Sequence, residues 1–304
     1  MTLKQSLTFG SLTLVALAGL SLPTAFASST SADNAEADAS EAAAVEQSAF
    51  RKALKFGFSG QEIQGGVMLG DAPAGTRSLT LDGEPVLVAE DGKFIIAFNR
   101  DAGQSAQMVA TLENGETVRK YFNIAPRSWK IEHVNVARRS GGPSAAFMAL
   151  RMPELEQINA ARQVQSGSQG WRQTFIWPAK GRISGMFGSQ RIYQGEPGSY
   201  HSGVDIAGAT GTDFVAPADG VVTLAAEKPF SLEGNLLMID HGMGLNSAFL
   251  HASEILVEVG QEVKRGQTIG RIGATGRATG PHLHWSMKWN DARIDPILLT
   301  GPMG

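Results

Sequence analysis

Short runs that alternate apolar and polar residues, cut at close intervals by turn dipeptides, leave this chain little choice of fold. In SLTLDGEPVLVAEDGKFIIAF (78–98), Asp82-Gly83 and Asp91-Gly92 each stand between strand-like segments. LENGETVRKYFNI (112–124) repeats the device with Asn114-Gly115. Such dipeptides accept the positive φ that tight hairpins demand. Residues 53–136 are therefore expected to form a small all-β domain of sandwich type. After Gln173 the pattern is again strand and turn, with short runs such as NLLMID and QTIGRIG and no long amphipathic helix. Between the two, PELEQINAARQVQ reads as a helix. Pro153 suits a first turn, and Leu155, Ile158 and Ala161 recur at helical spacing. The expectation is two all-β regions, 53–136 and 173–304, joined by a connector at 137–172 with one helix.

The first residues, MTLKQSLTFGSLTLVALAGLSLPTAFASS, have the make-up of a secretory leader: Lys4, an apolar stretch from Leu7 to Leu20, and Ala25-Phe26-Ala27 as a cleavage site. Gly10, Ser11, Gly19, Ser21 and Pro23 dilute the run below the ~20 apolar residues a membrane span needs. A signal peptide at 1–27, no stable membrane insertion after its removal, and a secreted or periplasmic location are expected. Residues 28–52 are rich in Ala, Ser and acidic side chains, with almost no large apolar ones, and read as a flexible acidic tether.

A net charge of −3 with no basic run gives no electrostatic footprint for nucleic acid. The absence of cysteine removes disulfides, thiol catalysis and Cys-based zinc sites, so a transition metal would have to be held by His, Asp and Glu. Five of the six histidines fall between positions 201 and 284. The sixth, His133, sits in a strand-like run and reads as structural. SYHSGVDIAG holds His201 and Asp205, which can reach one ion only if the backbone folds between them, and Gly203 makes that easy. In GPHLHW, His282 and His284 share one face of a strand, roughly 6–7 Å apart along it. Catalytic zinc takes three protein ligands and leaves a position for water. His201, Asp205 and either histidine of the HLH pair satisfy that count, leaving the other and His251 for proton transfer and oxyanion stabilisation. Spacing alone does not say which of His282 and His284 binds.

From about Trp177 to Leu299 the chain resembles the lysostaphin-type, or LytM-type, family of zinc peptidoglycan endopeptidases. The resemblance runs through GRISGMFGSQR, HSGVDIAG, GTDFVAPADGVV, GNLLMIDHGMGLNSAFLH, VEVGQEVKRGQTIGRIGATGRATGPHLHWSM and the Ile294-Asp295-Pro296 near the end. It implies an antiparallel β-sheet peptidase domain, with His201, Asp205 and His284 as Zn2+ ligands and His251 and His282 as non-ligand catalytic histidines. His241 matches a position that the family uses structurally. Phe249 departs from the Tyr that commonly stands there; if that phenol helps bind substrate, this chain does without it. The implied substrate is peptidoglycan, cleaved in its peptide stems or cross-links, with a D,D-endopeptidase suggested by the tether and accessory-domain layout. The accessory domain would position the enzyme, bind a regulatory protein partner or shield the site.

Other readings fit less well. Some relatives lack zinc ligands and act without hydrolysis, as activators of cell-wall amidases, but here the full set is present. VAPADGVV and VGQEVKRGQTIG resemble hairpins of biotinyl and lipoyl carriers, with Lys288 in Met287-Lys288-Trp289, yet a carrier has no use for the histidines. GATGRATG lacks the spacing of a phosphate-binding loop.

Overall fold

The computed structural model describes residues 55–137 and 142–303; the expected leader at 1–27 and tether at 28–52 lie outside the described residues. The protein is mostly β-sheet, with a single α-helix among the described residues.

The N-terminal part is two small antiparallel sheets. Strands β1 (Gly57–Gly60), β2 (Val67–Asp71) and β5 (Lys93–Ala97) form one; β3 (Thr76–Leu81), β4 (Glu84–Val86), β6 (Ser105–Leu112) and β7 (Thr117–Asn123) form the other, in the order β4-β3-β6-β7. Alternation sets the inward face. Along β6, Ala106, Met108, Ala110 and Leu112 are buried while their neighbours are not. Asp82 and Gly83, at φ 50° and 88°, close the two-residue β3–β4 hairpin as expected. Asn114-Gly115 likewise closes β6–β7, with the Gly115 N–H donating to the Leu112 carbonyl. Asp91-Gly92 differs. It makes a tight turn, but the chain then crosses to pair β5 with β2, not β4. The buried Phe94, Ile95, Ile96 and Ala97 find more apolar surface in that position than beside the three-residue β4.

Strand β8 (Ile131–Val134), which carries His133, falls inside the 53–136 stretch, yet it pairs in parallel with β10 (Gln190–Tyr193). β10 in turn forms a hairpin with β11 (Glu196–Tyr200). His133 is exposed. The chain from Arg51 onward groups as one compact unit. Arg127 bonds Asp295 at 2.8 Å and the Gln64 carbonyl at 3.3 Å, and Arg100 donates to the Gly188 carbonyl at 2.9 Å.

Helix α1 (Ala145–Gln163) begins eight residues before the expected Pro153. Ser144 caps it, its hydroxyl accepting from the Phe147 N–H at 3.1 Å. The AAFMALR segment that follows is rich in good helix formers. Pro153 therefore lies inside the helix, where its missing N–H frees only the carbonyl of exposed Ala149. The inward face is Arg151, Glu154, Ile158 and Ala161, two of them charged.

The largest sheet runs β18 (Glu262–Val263), β14 (Gly220–Ala225), β15 (Asn235–Asp240), β16 (Leu245–Ala252), β20 (His282–Trp289), β12 (Gly203–Ala207), β9 (Ile183–Gly185), with β21 (Ala292–Ile294) also on β20. One face packs Val204, Ile206, Leu237, Ile239, Phe249, Leu283, Trp285 and Met287 into the main core, against Phe214 of a small sheet made of β13 (Asp213–Val215), β19 (Thr268–Arg271) and β17 (Glu254–Ile255). On the other, Ile158 and Ala161 of α1 cover Leu224, Leu236, Met238 and Ala248. β15 is buried on both sides, which is why NLLMID reads as an unbroken apolar run.

Candidate metal centre and active site

Register brings the site together. Asp205 on β12 lies directly opposite His284 on β20, so their side chains leave the sheet on the same face. His282, two residues away, shares that face. His201 lies just beyond β11, clamped in the backbone: its N–H donates to the Ser189 carbonyl and its carbonyl accepts from Gly188, both at 2.8 Å. The turn to β12 follows, folding His201 back onto Asp205. Gly203 contributes space, not unusual backbone angles. A Cβ there would stand 2.3 Å from the Trp285 carbonyl oxygen and 2.8 Å from His284 Nε2. Gly185 does the same beneath the site, where a Cβ would meet Asp205 Oδ2 at 2.2 Å.

His251 reaches the site through a bulge. Between two ladder pairs β15 advances two residues, Asn235 to Leu237, while β16 advances three, Phe249 to Ala252. Plain alternation would send His251 to the core side with Phe249. The extra residue, with His251 at φ 66°, turns its ring to lie 4.9 Å from His282 and 6.3 Å from His284, centroid to centroid. A left-handed non-glycine residue costs of order 1 kcal/mol or more, and it is held here by a bond from its N–H to the Glu233 carbonyl at 2.8 Å.

Three ligand atoms converge. His201 Nε2 lies 3.0 Å from Asp205 Oδ1 and 3.1 Å from His284 Nδ1, and His284 Nδ1 lies 2.7 Å from Asp205 Oδ1. Tetrahedral ligands at ~2.0–2.1 Å from one zinc stand about 3.3 Å apart, so the triangle is close to what such an ion needs. The chemistry of the donors also fits. His201 Nδ1 faces the Met186 carbonyl at 3.1 Å, which can only accept, so the ring proton belongs there and neutral His201 offers Nε2 as a bare lone pair. Lone pairs meeting a carboxylate oxygen call for a cation between them. Protons compete with a cation for the same lone pairs, and the titration trends show the pull of Asp205 on them. Burial opposes charge on His201, but the bond and charge of Asp205 outweigh it and raise its pKa. Burial would raise Asp205, yet bonds from His201 and His284 hold its carboxyl well below the usual range. Burial lowers His284 despite Asp205.

The two remaining histidines are held for a different task. His251 Nδ1 donates to the Thr275 carbonyl and His282 Nδ1 to the Gly280 carbonyl, each at 2.8 Å, which leaves both Nε2 atoms without a hydrogen bond. His282 Nε2 is 3.7 Å from Asp205 Oδ1. Burial pushes His251 down, keeping it neutral and able to accept a proton. GATGRATG, which reads from sequence as no more than a turn-rich loop, thus supplies the carbonyls that fix both rings. Sequence reasoning missed Gly185, Met186, Thr275 and Gly280; only the density of glycines there hinted at close backbone approach.

His241 stands apart, fully buried. Its Nδ1 donates to the Asp219 carbonyl and its Nε2 accepts from Ser247, both at 2.8 Å, and Ser247 accepts from Trp285 Nε1 at 3.2 Å. Burial lowers its pKa to about 4, so it is a neutral structural residue. Phe249 is fully buried and stacked on Phe214, ring centroids 5.5 Å apart, on the face away from the site. A phenol on this side chain would point into the core, so no substrate contact is lost by its absence.

His201 and Asp205 open into a cleft of about 680 Å³, whose walls include Met186, Tyr200, Arg277 and, from the N-terminal part, Lys130 and Glu132. The fold and this cleft define a peptidase-type domain. Residues 199–296 match Peptidase family M23, so the chain carries a domain of that family, the lysostaphin or LytM type. ShyA, a peptidoglycan DD-endopeptidase of Vibrio cholerae serotype O1, is 42% identical over 126 residues, covering 41% of this chain and 29% of the relative. Mpg, a DD-carboxypeptidase/endopeptidase of Neisseria meningitidis serogroup B, is 36% identical over 121 residues, 40% of this chain and 27% of the relative. The match spans less than a third of the length of either. A crystal structure from Pseudomonas aeruginosa assigned to the M23 peptidases is similar at a TM-score of 0.62 and 28% identity, covering 83% of this chain and 98% of that one. That coverage reaches well beyond the M23 region.

Proposed function

We propose that the protein is an exported zinc-dependent endopeptidase that hydrolyses the peptide cross-links of peptidoglycan, with D,D-endopeptidase activity. The observation that carries the reading is the convergence of His201 Nε2, Asp205 Oδ1 and His284 Nδ1 within 3.1 Å beside two further histidines whose Nε2 atoms make no hydrogen bond. The names of ShyA and Mpg support the substrate class. Export follows from the leader read at 1–27, and among the described residues no helix is long and apolar enough to cross a membrane. In this reading residues 53–136 are an accessory domain, 137–172 a connector and 173–304 the peptidase domain.

His201, Asp205 and His284 would hold the ion. When bound, zinc supplies a Lewis acid for the scissile carbonyl and lowers the pKa of water to ~7. The chain's own groups do the rest. The Met186 carbonyl fixes the His201 ring, and Asp205 keeps the site anionic enough to hold a cation. His251, neutral and anchored by Thr275, accepts the proton of the attacking water and returns it to the leaving amine. His282, anchored by the Gly280 carbonyl, presents Nε2 to the developing oxyanion.

Metal analysis joined to turnover tests the assignment. His201→Ala and Asp205→Ala should lose zinc and activity together, whereas His251→Ala and His282→Ala should keep zinc and lose most turnover. Loss of zinc from His282→Ala but not from His284→Ala would reverse the roles of the HLH pair.

A further inference from the structure

Alternation along β20 places His282, His284, Ser286 and Lys288 on the face that α1 covers. Beyond His284, between that face and the helix, lies a cavity of about 100 Å³. Its wall includes three cations, half-buried Arg162 from α1, half-buried Lys288 from the sheet and exposed Arg293, which also lies over the Tyr200 ring, together with Ser202, next to His201. Only one carboxylate lines it, Glu233, and Arg151 already holds that group with two bonds, at 2.6 and 2.7 Å. Lys288 leans on Asp291, which is fully in solvent, at 3.3 Å. Arg162 is half-buried and lacks a close partner: its Nε is sealed from solvent without a hydrogen bond, its guanidinium makes no ion pair among the described residues, and Glu233 and Asp291 act on it only from a distance.

Such an arrangement is unfavourable as it stands. A cation partly removed from water gains from a partner, and neighbouring cations make the need greater. Burial, then the charge of Arg293, pushes Arg162 below its usual range; burial, then Arg162, does the same to Lys288. Residues so placed are explained by an anion that arrives from outside. The guanidinium fork matches a carboxylate in two parallel bonds. Because His284 lines the same cavity, a group seated there lies beside a candidate metal ligand.

We propose that Arg162, with Lys288 and Arg293, forms a binding site for a free carboxylate of the peptide being cleaved, next to His284 on the α1 side. The site rests on the peptidase reading for the identity of the peptide, and it makes α1 part of the substrate-binding surface. The enzyme would then prefer acidic stems over amidated ones.

The test measures binding apart from turnover. Zinc-loaded full-length protein carrying His251→Ala is titrated by calorimetry with a purified D,D-cross-linked muropeptide dimer, and with the same dimer amidated at its free carboxylates. The acidic dimer should bind roughly ten- to a hundredfold more tightly, as a charge-assisted bond to a half-buried cation warrants. Adding Arg162→Met or Lys288→Gln should bring that ratio towards one. Thermal melting distinguishes this from misfolding, since Arg162→Met removes a half-buried cation with no ion pair and should leave the melting temperature equal or higher. A ratio that survives both substitutions, equal binding of the two dimers by the parent, or a marked drop in melting temperature with Arg162→Met would each overturn the site. Cleavage by the chain with His251 intact is scored separately. A dimer that binds with the expected ratio but is never cleaved would overturn the peptidase reading and leave the carboxylate site standing.

Discussion

The two faces of the large sheet are built from alternate residues of the same strands, and they differ in kind. On β20, Leu283, Trp285, Met287 and Trp289 are sealed in the main core, while His282, His284, Ser286 and Lys288 face the cleft and the helix. On β12, Val204 and Ile206 are core and Asp205 between them is a candidate ligand. One face is apolar and satisfied. The other gathers a carboxylate among histidines, the buried Arg151–Glu154–Glu233 cluster and the unpartnered Arg162. Period-two alternation lets one strand hold the fold with one set of residues and present chemistry with the other, a step of one residue apart. Substitutions should therefore separate by parity.

The largest effect is expected on the cleft face. Asp205→Ala should lower hydrolysis of cross-linked muropeptides by three orders of magnitude or more, on the order of what removing a catalytic metal costs. Its urea midpoint, measured on metal-free protein, should fall less than that of a core truncation, since only the bonds of Asp205 to His201 and His284 are lost. Equal losses of stability and activity would blur the division. On the opposite face, Trp285→Ala should cost about 3–5 kcal/mol in a denaturant melt by opening a cavity in the core. A tolerant core there would contradict the comparison from the other side.

Acid should act through the core face. His241 is held neutral with its folded pKa at about 4, below the ordinary 6.5. A depressed folded value favours the native state above the unfolded pKa. That contribution is whole above pH 6.5 and is lost as pH falls towards 4, by up to about 3 kcal/mol. Denaturant midpoints measured from pH 7 to 4 should fall steeply in the native chain and more gently in His241→Gln. Identical slopes would assign the acid loss to other groups. The smallest effect sharpens the parity rule. Phe249→Tyr, which buries a hydroxyl against Phe214, should cost about 1–3 kcal/mol and leave kcat/KM for the acidic dimer within a factor of two. A gain in turnover would mean that position 249 reaches the substrate after all.

What the sequence showed clearly was local. Asn114-Gly115 and Asp82-Gly83 dictate their hairpins because the turn needs positive φ, whatever lies elsewhere. The shared face of His282 and His284 follows from strand geometry, and the family motifs mark His201, Asp205 and His251. What it hid depends on distant partners. Asp91-Gly92 turns without making a hairpin because β2 supplies a better neighbour than β4. Helix α1 starts at Ala145 since Ser144 caps it, and Pro153 is tolerated where its free carbonyl meets water. The position of His251 depends on a bulge that no short motif encodes, and the isolation of Arg162 depends on Arg151 having already taken Glu233. β8 passes as one more accessory strand until its partner, β10, is seen to come from the peptidase region.

The central claim is best tested on the polymer itself. Purified cross-linked sacculi would be digested with the zinc-loaded protein, with and without a zinc chelator, and the released muropeptides identified by mass spectrometry. The account predicts loss of D,D-cross-linked dimers with a matching rise in monomers, abolished by the chelator and restored by added zinc. Cross-linking left unchanged by folded, zinc-loaded protein would contradict it, and would place the same constellation in a non-hydrolytic, cell-wall-binding or amidase-activating role.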